Sequence, residues 1–101
     1  MSAVVTIVTG RISPDRDHEV ADPYREALKD GPPPDLEETL LLQGDVGQLT
    51  ILSVWPRRED LDAMLVSGEE PFARRLIRAA GGTPEATIYE VLVRSTRSGT
   101  G

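Results

Sequence analysis

The chain has 101 residues, and its 17 acidic and 11 basic side chains give a net charge of −6 at neutral pH. It contains no cysteine and one histidine, which excludes disulfides, thiolate metal sites, cysteine nucleophiles and multi-histidine metal centres. The acidic balance argues against nucleic acids and anionic membranes as partners, and the lack of a leader-like or membrane-spanning apolar segment predicts one cytoplasmic domain.

The first third of the chain predicts a strand followed by a helix. Residues 4–12 are rich in β-branched side chains, which favour a strand. Residues 13–15 read Ser-Pro-Asp, a pattern typical of a helix start, and Gly31 is typical of a helix end. Pro23 interrupts this helix, so it either kinks there or restarts with Asp22 as its cap. The buried stripe of the helix would comprise Val20, Tyr24 and Leu28.

Two further strand-like segments predict a hairpin. They span residues 36–43 and 48–55, and the glycines of the connecting segment 44–47 permit a tight turn. In the second strand, both alternating sets of side chains are apolar. We expect such a strand to be covered by protein on both faces of the sheet.

The rest of the chain predicts two helices, a strand and a tail. Gly68 ends the first helix, and the second begins near Pro71. Residues 87–94 predict the last strand, and residues 95–101 a flexible tail.

Three arginines of the second of these helices could clamp an anionic substrate, because a guanidinium group donates to a carboxylate through a fork. They are Arg74, Arg75 and Arg78, and the apolar stripe of the helix lies opposite them. Glu70 and Arg74 are also four residues apart, which predicts an ordinary ion pair on the solvent side.

The order of elements is β-α-β-β-α-α-β, which predicts an α+β, ferredoxin-like (split βαβ) domain over residues 1–94. Its four-stranded antiparallel sheet would carry the helices on one face, with the first and third strands at the centre. The second apolar face then needs another cover. We expect a homodimer that packs sheet against sheet, the alternative being a monomer with an unusually apolar sheet.

Several segments carry a resemblance to a known family. They are the strand at 49–55 (LTILSVW) with its terminal tryptophan, the helical segment 61–64 (LDAM), Ser67, and the closing segment 89–92 (YEVL). Together with the order of elements, they resemble the antibiotic biosynthesis monooxygenase-like family. The resemblance implies a dimeric α/β barrel formed by two sheets, and a pocket in each subunit between the sheet and its helices.

The family includes cofactor-independent oxygenases of polycyclic phenols or quinols and enzymes that degrade haem. The haem enzymes bind iron through a histidine on the last helix and place an asparagine on the first strand. This chain has no histidine in that helix and no asparagine at all. The resemblance therefore implies no haem, and we expect no cofactor or metal.

Five side chains are candidates for the pocket. Trp55 would stack on a flat aromatic ligand, or else seal the strand end as a core residue. Tyr89 and Tyr24 would orient a phenolic oxygen, or else be core tyrosines. His18 belongs to the residue type that most often acts as a base near neutral pH, but it lies in a charged, solvent-facing stretch. Glu90 either faces solvent at a sheet edge or is buried, where it would be a candidate base.

Two functions remain open on this reasoning. The first is a cofactor-independent monooxygenase acting on a small aromatic, quinol-type molecule. The second is a non-catalytic homodimer on the same scaffold that binds a small apolar ligand or serves as an accessory subunit. One scaffold hosts unrelated functions, so the site has to decide between them.

Overall fold

The β-branched run near the start of the chain forms one of the two central strands of an antiparallel sheet. The computed structural model describes residues 3–68, 70–95 and 97. The predicted α+β, ferredoxin-like fold, with the first and third strands at the centre, is confirmed. Its strands are β1 (Val4–Arg11), β2 (Glu38–Gln43), β3 (Gln48–Trp55) and β4 (Glu85–Glu90), in the sheet order β2-β3-β1-β4. Its helices are α1 (His18–Ala27), α2 (Arg58–Val66) and α3 (Phe72–Ala79).

The first helix begins later than its sequence pattern predicts. Residues Pro14–Arg16 form a separate 3-10 turn, and α1 follows it. Pro23 lies inside this one continuous helix, so the alternative of a restart capped by Asp22 is wrong. Proline lacks the N–H that would bond to the carbonyl of Glu19, and α1 tolerates the loss of this single bond.

All three helices pack on the same face of the sheet through two groups of buried side chains. The larger group joins α1 and α3 to β3 and consists of Ile12, Val20, Tyr24, Leu49, Ile51, Leu76 and Ala80. The smaller group joins α2 to β1 and β3 and consists of Val4, Trp55 and Leu61. Side chains of paired residues point to the same face, so these groups define the helix side of the sheet.

Helix α3 approaches β1 closely at a glycine. A Cβ atom added to Gly10 would overlap Cγ2 of Ile77, which is fully buried. A side chain at this position would have to push the helix or Ile77 aside, because protein interiors are close-packed. Gly10 therefore sets the distance between α3 and the sheet.

The last strand is displaced from its prediction, since β4 ends at Glu90 instead of residue 94. Glu90 lies opposite Val4, which is the first residue of β1. The N–H of Val91 donates once more, to the carbonyl of Ala3 at 3.0 Å, next to the first residue of β1. Most of the predicted tail at 95–101 lies outside the described residues.

The opposite face of the sheet carries a second set of apolar side chains. None of the described helices packs on this face, which we call the open face. It comprises Val5, Ile7, Leu40, Leu42, Leu52, Val54 and Tyr89. Leu40, Leu42 and Tyr89 are 41, 42 and 54 % exposed, respectively. The sheet is therefore apolar on both faces, as the sequence of β3 predicts.

Candidate functional site

A cavity of about 240 Å³ lies between the helix side of the sheet and the three helices. Small-molecule sites commonly measure about 300–1,000 Å³, so this cavity suits a compact ligand of two or three fused rings. The sheet and all three helices contribute to its mostly apolar wall, which includes Val8, Leu28, Ile51, Leu61, Met64 and Phe72.

Trp55 lines the cavity and is held in place by a hydrogen bond. It is the last residue of β3 and packs in the buried group with Val4 and Leu61. Its indole Nε1–H donates to Oγ1 of Thr6 at 3.1 Å. The ring is thus fixed beside the cavity, to which it can offer a flat apolar surface.

A row of hydroxyl groups crosses the helix side of the sheet. Thr39, Ser53 and Thr6 lie opposite one another on β2, β3 and β1. Oγ1 of Thr39 is 3.0 Å from Oγ of Ser53, and it also forms a short hydrogen bond with the hydroxyl of Tyr24, which reaches down from α1. All four residues line the cavity, and we call them the hydroxyl row.

Tyr24 of the hydroxyl row remains a neutral phenol. Burial raises the pKa of Tyr24 above its usual value of 10.0, and the hydrogen bond with Thr39 offsets this only in part. At neutral pH the side chain is therefore protonated. It can donate or accept a hydrogen bond but cannot serve as a general base.

Among the described residues, two with charged side chains line the cavity, Asp35 and Arg74. The predicted pair between Glu70 and Arg74 is wrong, because Glu70 accepts from Arg78 at 2.8 Å. Helix α3 begins only after Glu70, so helical spacing does not bring Glu70 to Arg74. Arg74 is half-buried and forms no ion pair with a described residue. Its guanidinium group is available to a ligand, whereas Asp35 is exposed.

The structure brings together two of the five candidates from the sequence. Trp55 and Tyr24 both line the cavity. Tyr89 lies on the open face, away from the cavity, and His18 is exposed at the first residue of α1. Glu90 is exposed at the end of the edge strand β4, which is the solvent-facing alternative.

Sequence reasoning missed most of the polar groups of the cavity. Strand alternation puts Ser53 on the same face of β3 as Trp55, but Thr39 and Thr6 join Ser53 only through the strand register. A residue that follows a proline-rich loop, such as Asp35, gives no periodic signal. The arrangement as a whole offers neutral hydroxyl donors, one cation and a flat indole around an apolar space.

The part of the chain that the structure describes contains no group of three or more histidine, aspartate or glutamate side chains able to hold a metal ion. None of its described helices is long and apolar enough to cross a membrane.

No protein-family model matches the sequence, and neither does any curated protein. Solved structures of other proteins share this fold, among them the following two. A protein of unknown function from Nitrosomonas europaea, NE2512, is 16% identical with a TM-score of 0.70, over 98% of both chains. SnoaB, a cofactor-independent oxygenase from Streptomyces nogalater, is 15% identical with a TM-score of 0.61, over 97% of this chain and 99% of its own. At these identities the likeness establishes a shared fold, which spans nearly the whole of this chain.

Proposed function

We propose that this protein is a cytoplasmic, cofactor-independent monooxygenase of the antibiotic biosynthesis monooxygenase-like type, acting on a compact aromatic molecule with quinol-like chemistry. The observation that carries the proposal is the apolar cavity bordered by Trp55, the hydroxyl row and Arg74. Such a space accepts flat ring systems and provides a few polar contacts for a ring oxygen. The fold shared with the oxygenase SnoaB supports the same function.

The reaction needs no reductant if the substrate supplies the electrons. A ring CH₂ group next to an activating carbonyl system loses a proton, and the carbanion forms a C–O bond with molecular oxygen. The resulting peroxide is protonated and loses water, which leaves a carbonyl at the former CH₂ position. One oxygen atom stays on the ring carbon and the other leaves in water, so atoms and electrons balance.

The reaction needs a group that accepts a proton and a positive charge near the ring oxygen, and the charged cavity residues can supply both. The positive charge of Arg74 would stabilise the negative charge that develops on the ring oxygen, most effectively in an apolar site. Asp35 is the carboxylate on the cavity wall and would accept the proton. Exclusion of water by the apolar wall would protect the carbanion from reprotonation.

We also propose that two copies associate through the open face. Leu40, Leu42 and Tyr89 expose apolar surface there, and a second sheet would cover it. The resemblance to a dimeric family implies the same arrangement.

The alternative, a non-catalytic ligand-binding protein, is favoured by one observation. Asp35 is exposed, and an exposed carboxylate is a weak base for removing a proton from carbon. The cavity would then hold its ligand without changing it.

Titration with 9-anthrone, a three-ring ketone with an activated CH₂ group, tests both functions. Trp55 is the single tryptophan, so its fluorescence has one source. We expect saturable quenching under nitrogen and, in air, uptake of one O₂ for each anthraquinone formed. Free tryptophan in place of the protein serves as the inner-filter control, and Trp55→Phe gives the background without tryptophan emission. Binding without oxygen uptake would favour the non-catalytic protein, and absence of both binding and uptake would contradict the oxygenase.

A further inference from the structure

Three members of the hydroxyl row hold one proton more than the hydrogen bonds between them use. Tyr24, Thr39 and Ser53 carry three O–H groups, but only two hydrogen bonds connect them. The two oxygen–oxygen distances allow either direction, and the greater acidity of a phenol favours donation from Tyr24 to Thr39, followed by donation from Thr39 to Ser53. The O–H of Ser53 is then left over, on a side chain that is only 8% exposed and lines the cavity.

Thr6 has a second unused proton next to Ser53. Its Oγ1 accepts from the indole of Trp55, which leaves the O–H of Thr6 free to donate. Thr6 and Ser53 are directly paired residues of β1 and β3. Side chains in such pairs have Cβ atoms roughly 4.5–5.5 Å apart, and both residues line the cavity, so a single ligand oxygen can lie within reach of both hydroxyl groups.

Burial makes these unused donors significant. Each of the two hydroxyl oxygens already has one hydrogen-bond partner, and a ligand oxygen that accepts the remaining O–H of the buried Ser53 or the half-buried Thr6 adds a further hydrogen bond in an apolar surrounding. The surrounding wall is apolar, so the ligand needs one oxygen set into a flat hydrocarbon ring system.

We propose that Ser53 and Thr6 form a two-donor site for a single ring oxygen of the ligand, and that Tyr24 and Thr39 orient the Ser53 donor. The ligand class is thereby an aryl ketone or the phenolate or enolate derived from it. The inference rests on the proposed function only in taking the cavity as the ligand site. Ser53 and Thr6 are thereby the residues that select ligands carrying a ring oxygen.

The test compares two ligands that differ in this oxygen alone. They are 9-anthrone and 9,10-dihydroanthracene, in which a CH₂ group replaces the carbonyl. Dissociation constants are measured under nitrogen from the quenching of Trp55, so that no turnover occurs. We expect the native protein to bind 9-anthrone more tightly than dihydroanthracene. Ser53→Ala should raise the dissociation constant of 9-anthrone about three- to tenfold and leave that of dihydroanthracene unchanged.

The controls separate donation from packing. Thr50→Val removes a hydroxyl from the opposite face of the same strand and should leave both constants unchanged. Thr6→Val should weaken 9-anthrone, whereas Thr6→Ser should retain its affinity. The infrared carbonyl stretch of bound 9-anthrone should shift to higher frequency in Ser53→Ala, because a hydrogen bond to the carbonyl oxygen is lost.

An equal preference for the ketone in the native protein and in Ser53→Ala would overturn the inference, as would failure of both ligands to bind. Failure of the two-donor site can be distinguished from failure of the proposed oxygenase activity. If the preference falls in Ser53→Ala but no oxygen is consumed, the donor site stands and the oxygenase fails. If oxygen is consumed with an unchanged preference, the donor site fails and the oxygenase stands.

Discussion

Arg74 borders the cavity without an ion pair to any described residue, so its charge can act on a bound anion. We predict that Arg74→Gln lowers kcat for oxidation of 9-anthrone about a hundredfold, with a smaller change in KM, because the charge develops mainly in the transition state. Steady-state oxygen uptake measures both constants.

The matched control for this prediction is Arg75→Gln. Arg75 is the next residue of the same helix, is exposed, and stacks over the ring of Phe72 at 5.6 Å from its centroid. Its substitution should leave kcat close to the native value. An equal loss of kcat in the two variants would contradict the prediction, because it would show that removing any positive charge from this helix has the same effect.

The residues of the candidate site could be predicted only in part from the sequence. Trp55 and Tyr24 could be found because each occupies an apolar position of a periodic pattern. The role of Arg74 could not be predicted, because helical spacing predicts an ion pair between Arg74 and Glu70. In the structure Glu70 lies before the start of α3 and pairs with Arg78. Hydroxyl groups on three strands share a cavity only once the strand register is known.

At the scale of secondary-structure elements, the close approach of Ile77 to Gly10 sets the distance between α3 and β1. We predict that Gly10→Ala lowers the free energy of unfolding by about 1–3 kcal/mol, because the added methyl group overpacks the core. Urea denaturation measures the change. Gly44→Ala is the control, because its methyl group would meet only the flexible end of Gln48, at 3.2 Å, and a change of under about 0.5 kcal/mol is expected. Similar losses in both variants would contradict the packing argument.

The order and type of these elements follow from the sequence, whereas several of their boundaries do not. Hydrophobic periodicity and β-branched runs identify every strand and each α-helix. The end of β4 depends on where β1 begins, because a ladder stops when its partner strand stops. The start of α1 depends on whether residues 14–16 continue into the helix, and local capping signals do not determine this.

For the whole molecule, the open face predicts association of two copies. Light scattering should give a mass near twice the chain mass of 11.0 kDa. Leu42→Glu should reduce it towards a single chain, because Leu42 is 42% exposed on the open face and a charge there resists burial. Val66→Glu, at an exposed apolar position on α2, should leave the dimer intact. A mass of one chain at all concentrations would refute the dimer.

The position of β1 at the centre of the sheet has a consequence for synthesis of the protein. Val4 lies opposite Trp55 in one neighbouring strand and Glu90 in the other, and both are made much later than β1. Strands β2 and β3, by contrast, are joined by the short segment 44–47 and can pair soon after they leave the ribosome. We predict that a chain ending at Pro84 sediments as aggregate after cell-free translation, whereas the full chain stays in the supernatant; equal solubility would refute this. Because β4 is made after the other three strands and pairs with β1, the growing chain exposes one unpaired edge of β1 until β4 has been made.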